Sequence, residues 1–275
     1  MGGGVKGLFL AIQFLTVIPV SLRGTVTERD VARSAAFFPV AGAVQGAIAA
    51  AATLLFARIF PSPVVSGLAL LALVLVNGGF HLDALADTFD ALAVKSAGEG
   101  ADRTRRLAVM KDSATGAIGV TAIVMALLLK YVFIAAVFDR LGACATAYIL
   151  FLMAVFSRWS FTPVLFHGKS ARPDGLGRTF IDGLDGRSYA LSWVLLAALA
   201  LAAALFWPAF SQAARLGLLP VACVCLYAFS ILWVFFCQRK FGGLTGDTAG
   251  ASAEIADLLF LAIALLWFSQ GDALR

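Results

Sequence analysis

The chain has 275 residues, 61% of them hydrophobic and 13% charged, with a net charge of +5 and a mean hydropathy of +0.93. A soluble domain carries about 25% charged residues. The balance excludes a soluble domain and predicts an all-α, polytopic integral membrane bundle in one domain, residues 1–275.

The first apolar run, Leu8 to Val20, lacks a small-residue cleavage site and ends near Pro19, so no cleavable signal peptide is expected. Segment 5–20 is short and reads as an interfacial, a re-entrant or a spanning helix. Longer apolar runs follow near 34–58, 63–79, 116–137, 143–160, 189–207, 217–237 and 253–269. A bilayer needs about 17–25 residues per helix. About seven transmembrane helices plus a short N-terminal apolar helix are therefore predicted. Cys144, Cys223, Cys225 and Cys237 all fall in apolar runs without a CxxC pair, which predicts buried, reduced thiols.

Alternation of the spans places loops 80–115, 161–188 and 238–252 on one side of the membrane, together with residues 21–33. Fifteen lysines and arginines lie there, Arg23, Lys95 and Arg158 among them, against Arg58, Arg140, Arg215 and Arg275 opposite. That asymmetry predicts a cytoplasmic location for the long loops. Nearly all acidic residues share the same face, so one side of the membrane holds the chemistry.

Four constellations stand on that side. In GGFHLDALADTFD, residues 78–90, Asp83, Asp87 and Asp90 are spaced i, i+4, i+7 and share one helical face. Such carboxylates repel each other unless a hard cation sits among them, and Mg2+ is the usual one where the substrate carries phosphates. The alternative is a solvated helix end whose acids pair with Arg103, Arg105 or Arg106. His81 either bonds a substrate oxygen or caps the turn.

In RLAVMKDSATGAIG, residues 106–119, Lys111, Asp112 and Ser113 precede a span, and Gly116 and Gly119 allow close approach of backbone or substrate. This is a phosphate seat at a helix N-terminus, or equally an N-cap with a headgroup anchor. The third constellation is Ser157-Arg158 with loop 167–187, which mixes His167, Lys169, Arg172, Arg178 and Arg187 with three acids. It reads as a mobile lid over a polyanion or as a loop that only sets topology. In FGGLTGDTAGASAE, residues 241–254, a Gly-rich turn with Thr245, Asp247 and Thr248 offers N–H groups to phosphate and a further metal ligand. Lys130 lies inside a span, where it either pairs with an intramembrane acid or touches substrate.

In order and spacing these motifs resemble the adenosylcobinamide-GDP ribazoletransferase (cobalamin synthase) family over nearly the full length. The resemblance is carried by FLTVIPV, FFPVAGAVQG, GGFHLDALADTFDAL, MKDSATGAIG, SRW, DGLGRTF and GGLTGDTAGASAEIADL. Alanine stands at 84 and 91 where the family usually has glycine, which tightens a turn but removes no ligand.

The resemblance implies an Mg2+-dependent enzyme in the cytoplasmic membrane of a prokaryote. It would join adenosylcobinamide-GDP to α-ribazole or its 5′-phosphate, releasing GMP. By analogy with CDP-alcohol phosphotransferases, Asp83, Asp87 and Asp247 would hold metal, with Asp112 and Glu254 adding or orienting ligands. Asp90 would accept the ribazole hydroxyl proton, with His81, Lys111 and Arg158 as further catalytic groups. Arg106, Ser113, Lys169, Arg178, Thr245, Gly246 and Thr248 would bind substrate. The remaining partners are membrane lipids and not nucleic acid, with a homo-oligomer left open. A prenyltransferase would show two Asp-rich motifs, and a transporter would show repeats and midplane charges; both readings are weaker.

Overall fold

The computed structural model describes residues 3–22, 24–94, 98–207 and 210–271. Arg23, Lys95 and Arg275 of the charge asymmetry lie outside them. The described residues form eleven α-helices, one 3-10 turn and one isolated β-bridge.

Helix α1 (Gly3–Leu15) is 13 residues long, about 20 Å, too short to cross a core of about 30 Å by itself. A Thr27–Asp30 capping box starts α2 (Glu28–Ser34). A 3-10 turn at Ala35–Phe37 carries it into α3 (Phe38–Phe56), giving one continuous apolar passage. Helix α4 (Ser62–Asn77) is followed at 87° by α5 (Phe80–Leu92), then by α6 (Glu99–Val109).

Helix α7 (Ala117–His167) has 51 residues, but Gly142 sits at φ 80° and ψ 176° and breaks it into limbs 117–141 and 143–167. A straight helix of that length would measure about 76 Å, far beyond a bilayer. Helices α8 (Leu176–Gly183), α9 (Gly186–Phe206), α10 (Gln212–Phe241) and α11 (Gly246–Gly271) complete the chain. Five helices are long and apolar enough to cross a membrane, and the bent α4–α5 pair adds a sixth. The two limbs of α7 bring the count to the seven that the apolar runs predict. The protein is an all-α, multi-pass membrane bundle.

Two boundaries differ from expectation. The second limb of α7 continues to His167 rather than ending at 160, because Phe161, Val164 and Leu165 extend its buried stripe. Helix α11 begins at Gly246, inside the segment expected to be a turn. Cys144 and Cys225 are exposed and only Cys237 is buried, against the expected buried thiols. On an outer helix an apolar position faces lipid and needs no protein cover.

Lipid removes the hydrophobic drive between helices, so close packing must supply the attraction. On α3, Gly42 and Gly46 form a small-xxx-small pair against the second limb of α7. A Cβ at Gly42 would meet the Ala154 carbonyl at 2.3 Å, and one at Gly46 the Phe151 backbone at 2.8 Å. The second limb of α7 is the central helix, buried almost throughout from Ala145 to Leu165, and α3 and α11 pack against it. The outer helices expose Leu128, Val194, Leu232 and Phe235, a surface suited to acyl chains.

Candidate active site

The acids of GGFHLDALADTFD lie beyond the apolar run, as expected, on a separate helix within segment 80–115. Gly78 (φ 66°) and Gly79 (φ 71°) are both left-handed, a conformation that glycine adopts without strain. Two such residues in succession turn the chain through 87°. Helix α5 thus leaves the axis of the spanning helix α4 nearly at a right angle. His81, Leu82, Leu85 and Thr88 form its buried side. Asp83 is exposed, and Asp87 and Asp90 are half-buried. Burial, then the charges of Asp83, Asp247 and Asp90, push the Asp87 carboxyl up to about 6 against the pull of Arg172. Ala84 and Ala91 are buried inside α5, not in a turn.

Asp90 is engaged differently from the free base that was expected. One of its carboxylate oxygens accepts from the Gly116 amide at 2.6 Å and the other from the Gly119 amide at 2.8 Å. It therefore satisfies donors at the start of α7, where backbone N–H groups lack helical partners. A Cβ at Gly116 or Gly119 would lie 2.5 or 2.3 Å from a carboxylate oxygen of Asp90. The two glycines admit Asp90, which joins two sequence motifs into one unit.

The loop expected to be a mobile lid is pinned. Ser170 and Leu244 form a parallel bridge, with Ala171 N–H donating to the Leu244 carbonyl (2.8 Å) and Leu244 N–H to the Lys169 carbonyl (2.7 Å). The Gly-rich segment then enters α11 through reciprocal capping. Thr245 N–H donates to Thr248 Oγ1 at 2.8 Å, and Thr248 N–H to Thr245 Oγ1 at 3.1 Å. Asp247, in the first turn, faces Arg172 at 3.4 Å.

These elements enclose a cavity of about 260 Å3. Its lining combines Asp83, Arg172, Asp174, Arg178, Thr245, Gly246 and Asp247 with five phenylalanines. A second, polar cavity of about 620 Å3 shares Asp174, Gly175 and Arg178 with it. Arg178 is held at that junction by Asp182 (2.9 Å) and the Pro173 carbonyl.

Several expected site residues are employed elsewhere. His81 is fully buried beside the rings of Phe80 and Phe161 (5.5 and 5.2 Å) and does not line the cavity. Arg158 lies inside the second limb of α7, not in a loop. It donates to Gln45 (2.9 Å) and Ser157 (3.0 Å) and pairs with Asp257 (3.4 Å). Glu254 is an ion-pair partner of Lys130 at 2.5 Å, and Asp257 meets the same ammonium at 2.6 Å. All four charges of this set are buried and satisfied within it, away from the cavity lining.

Lys111, Asp112 and Ser113 are exposed in the turn before α7, where Asp112 accepts from the Ala114 amide. Arg106 donates to the Lys240 carbonyl at 3.0 Å. Lys169 is exposed at the bridge, and Thr248 is committed to its cap. Of the expected set, Asp83, Arg178, Thr245, Gly246 and Asp247 line the cavity, with Asp87 adjoining electrostatically. Arg172, the cation facing Asp247, was read only as one of the loop charges, since nothing local distinguishes it.

The donor set beside the cavity is hard carboxylate oxygen. Among the described residues no group of three or more His, Cys, Asp or Glu side chains is gathered to hold a metal on protein ligands alone. Mg2+ in phosphate chemistry usually takes one or two carboxylates, the rest coming from water and substrate. Asp83 and Asp247 in the cavity lining fit that requirement.

Fold and site together define a multi-pass membrane protein with an acidic, arginine-lined cavity at one end of the bundle. The family model described as cobalamin-5-phosphate synthase matches residues 7–265, and the chain belongs to that family. A protein of Thermodesulfovibrio yellowstonii named adenosylcobinamide-GDP ribazoletransferase is 35% identical over 264 residues, covering 95% of this chain and 96% of the relative. One of the same name from Geotalea daltonii is 37% identical, covering 92% and 94%. No solved structure matches.

Proposed function

We propose that the chain transfers the cobinamide phosphate of adenosylcobinamide-GDP to α-ribazole or its 5′-phosphate. A ribazole hydroxyl oxygen forms the new bond to phosphorus, the pyrophosphate P–O bond breaks, and GMP leaves. One observation carries the reading: Asp83, Asp247, Arg172 and Arg178 meet in one cavity lining, on a chain whose relatives bear that enzyme's name.

Asp83 and Asp247, with Asp87 adjoining, would hold Mg2+, which would supply charge neutralisation at the pyrophosphate when bound. Arg172 keeps Asp247 aimed at the cavity and, with Arg178, offsets negative charge on donor and leaving group. Asp90 ties α5 to α7 and so sets the angle at which the acids face the cavity. Removal of the hydroxyl proton then falls to a carboxylate of the cavity wall, not to Asp90. Asp174, which lines the same cavity and is given no metal to hold, is the first candidate. The site opens to the cytoplasm of a prokaryotic inner membrane, a reading supported by the basic loops on that side.

The test is turnover by purified protein in nanodiscs supplied with both substrates. GMP release and a cobalamin product that require Mg2+ are expected. Folded protein that makes neither product would refute the assignment.

A further inference from the structure

The acids and arginines are one part of the cavity lining. Another part is assembled from five helices that each contribute one phenylalanine: Phe14, Phe38, Phe80, Phe161 and Phe180. The rings contact one another in a continuous sheath, Phe14 to Phe180 at 4.9 Å, Phe14 to Phe80 at 5.4 Å, Phe38 to Phe180 at 5.5 Å and Phe38 to Phe161 at 5.7 Å. Phe38, Phe161 and Phe180 are buried, but Phe80 is 46% exposed at the edge of the cavity.

We propose that this phenylalanine wall is the subsite for the flat, apolar heteroaromatic base of the acceptor. The inference rests on the function proposed above and assigns one substrate to one part of the site. Two bases compete for a place in a ribazole transfer from a guanosine diphosphate. Guanine carries a carbonyl, an amino group and a ring N–H that need partners, and each left unpaired among phenylalanines would be costly. A benzimidazole has no exocyclic polar group and offers faces that stack on aromatic rings. The cavity of about 260 Å3 suits a bicyclic base and is far too small for a corrin. The adjoining cavity of about 620 Å3, lined by Glu28, Arg29, Thr179 and Asp182, provides the polar partners that guanosine needs. Base stacking in the sheath would leave the ribose at the acidic wall. The same arrangement gives α1 a function, since Phe14 closes the wall.

Calorimetric titration of α-ribazole and of GMP into the full chain in nanodiscs tests the assignment without requiring turnover. Phe80→Ala, and Phe14→Leu as a milder second variant, are expected to weaken α-ribazole binding about tenfold while GMP binding stays as in wild type. Melting temperatures close to wild type would establish that both variants fold. Weakened GMP binding with α-ribazole unaffected would overturn the proposal and give the wall to guanosine. Unchanged affinities for both would reduce the sheath to helix packing, and a wild type that does not bind α-ribazole would also overturn it. Bound α-ribazole without turnover would instead sink the proposed reaction and leave the subsite standing.

Discussion

Asp90 joins two motifs that lie 26 and 29 residues apart along the chain, and the join explains why glycine stands at 116 and 119. The triad spacing was legible, because i, i+4, i+7 places three carboxylates on one face in any helix. Their separate employments were not, since only the approach of α7 decides which of them meets backbone amides. Gly119→Ala would force a methyl group to within 2.3 Å of that carboxylate, and is expected to cost about 1–3 kcal/mol as overpacking. A lowered melting temperature in Gly119→Ala, relieved in part by Asp90→Ala, would verify the contact. Asp87 carries a pH signature. Its carboxyl, raised to about 6, takes up a proton as pH falls through that value, and the proton competes with metal. Apparent Mg2+ affinity should therefore drop about tenfold per unit below about pH 6, and Asp87→Asn should flatten the profile. Affinity that stays level between about pH 5 and pH 7 in wild type would remove Asp87 from the metal site.

At the scale of elements, α11 does two things with one helix. Its first turn presents Asp247 to the cavity, and two turns further on Glu254 and Asp257 meet Lys130 and Arg158 from both limbs of α7. Lys130 was read as pairing with an acid or touching substrate, and the pairing is what the fold uses. Glu254 and Arg158 were read as site residues because each lies near a motif, and the fold engages both in this buried set. The usable signal was Lys130 itself, since a cation inside a span requires a partner at equal depth. Lys130→Met leaves buried Glu254 without its ion partner and Asp257 with Arg158 alone, and should destabilise by about 3–5 kcal/mol. The double variant Lys130→Met with Glu254→Gln should recover part of that loss, because fewer charges are then left unpaired. Thermal unfolding in detergent decides this, and a double variant no more stable than the single one would argue against the pairing. Helix ends were less legible than helix existence. Gly246 and Thr248 looked like a turn, yet reciprocal threonine caps start a helix there.

For the whole molecule, hydropathy predicted the class and about seven crossings, and the seven apolar runs are matched one to one only because Gly142 divides α7 and the chain bends after α4. What hydropathy could not reveal is that α5 turns nearly at a right angle to α4, or that five helices converge one phenylalanine each on the cavity. Those facts depend on angles between helices, and residue order carries them only weakly. The proposed orientation predicts that a cysteine placed at Lys169, in a chain freed of its four native cysteines, reacts with an impermeant thiol reagent in inverted membrane vesicles and not in right-side-out ones. Reaction from the outer side would reverse the topology.

The measurement closest to the central claim is Mg2+-dependent turnover of adenosylcobinamide-GDP and α-ribazole by wild type, Asp83→Asn and Asp247→Asn, each checked for wild-type melting behaviour. The account predicts GMP and a cobalamin product from wild type and a loss of at least about a hundredfold in both variants. Full activity in either variant would contradict an acidic wall at the reacting phosphate.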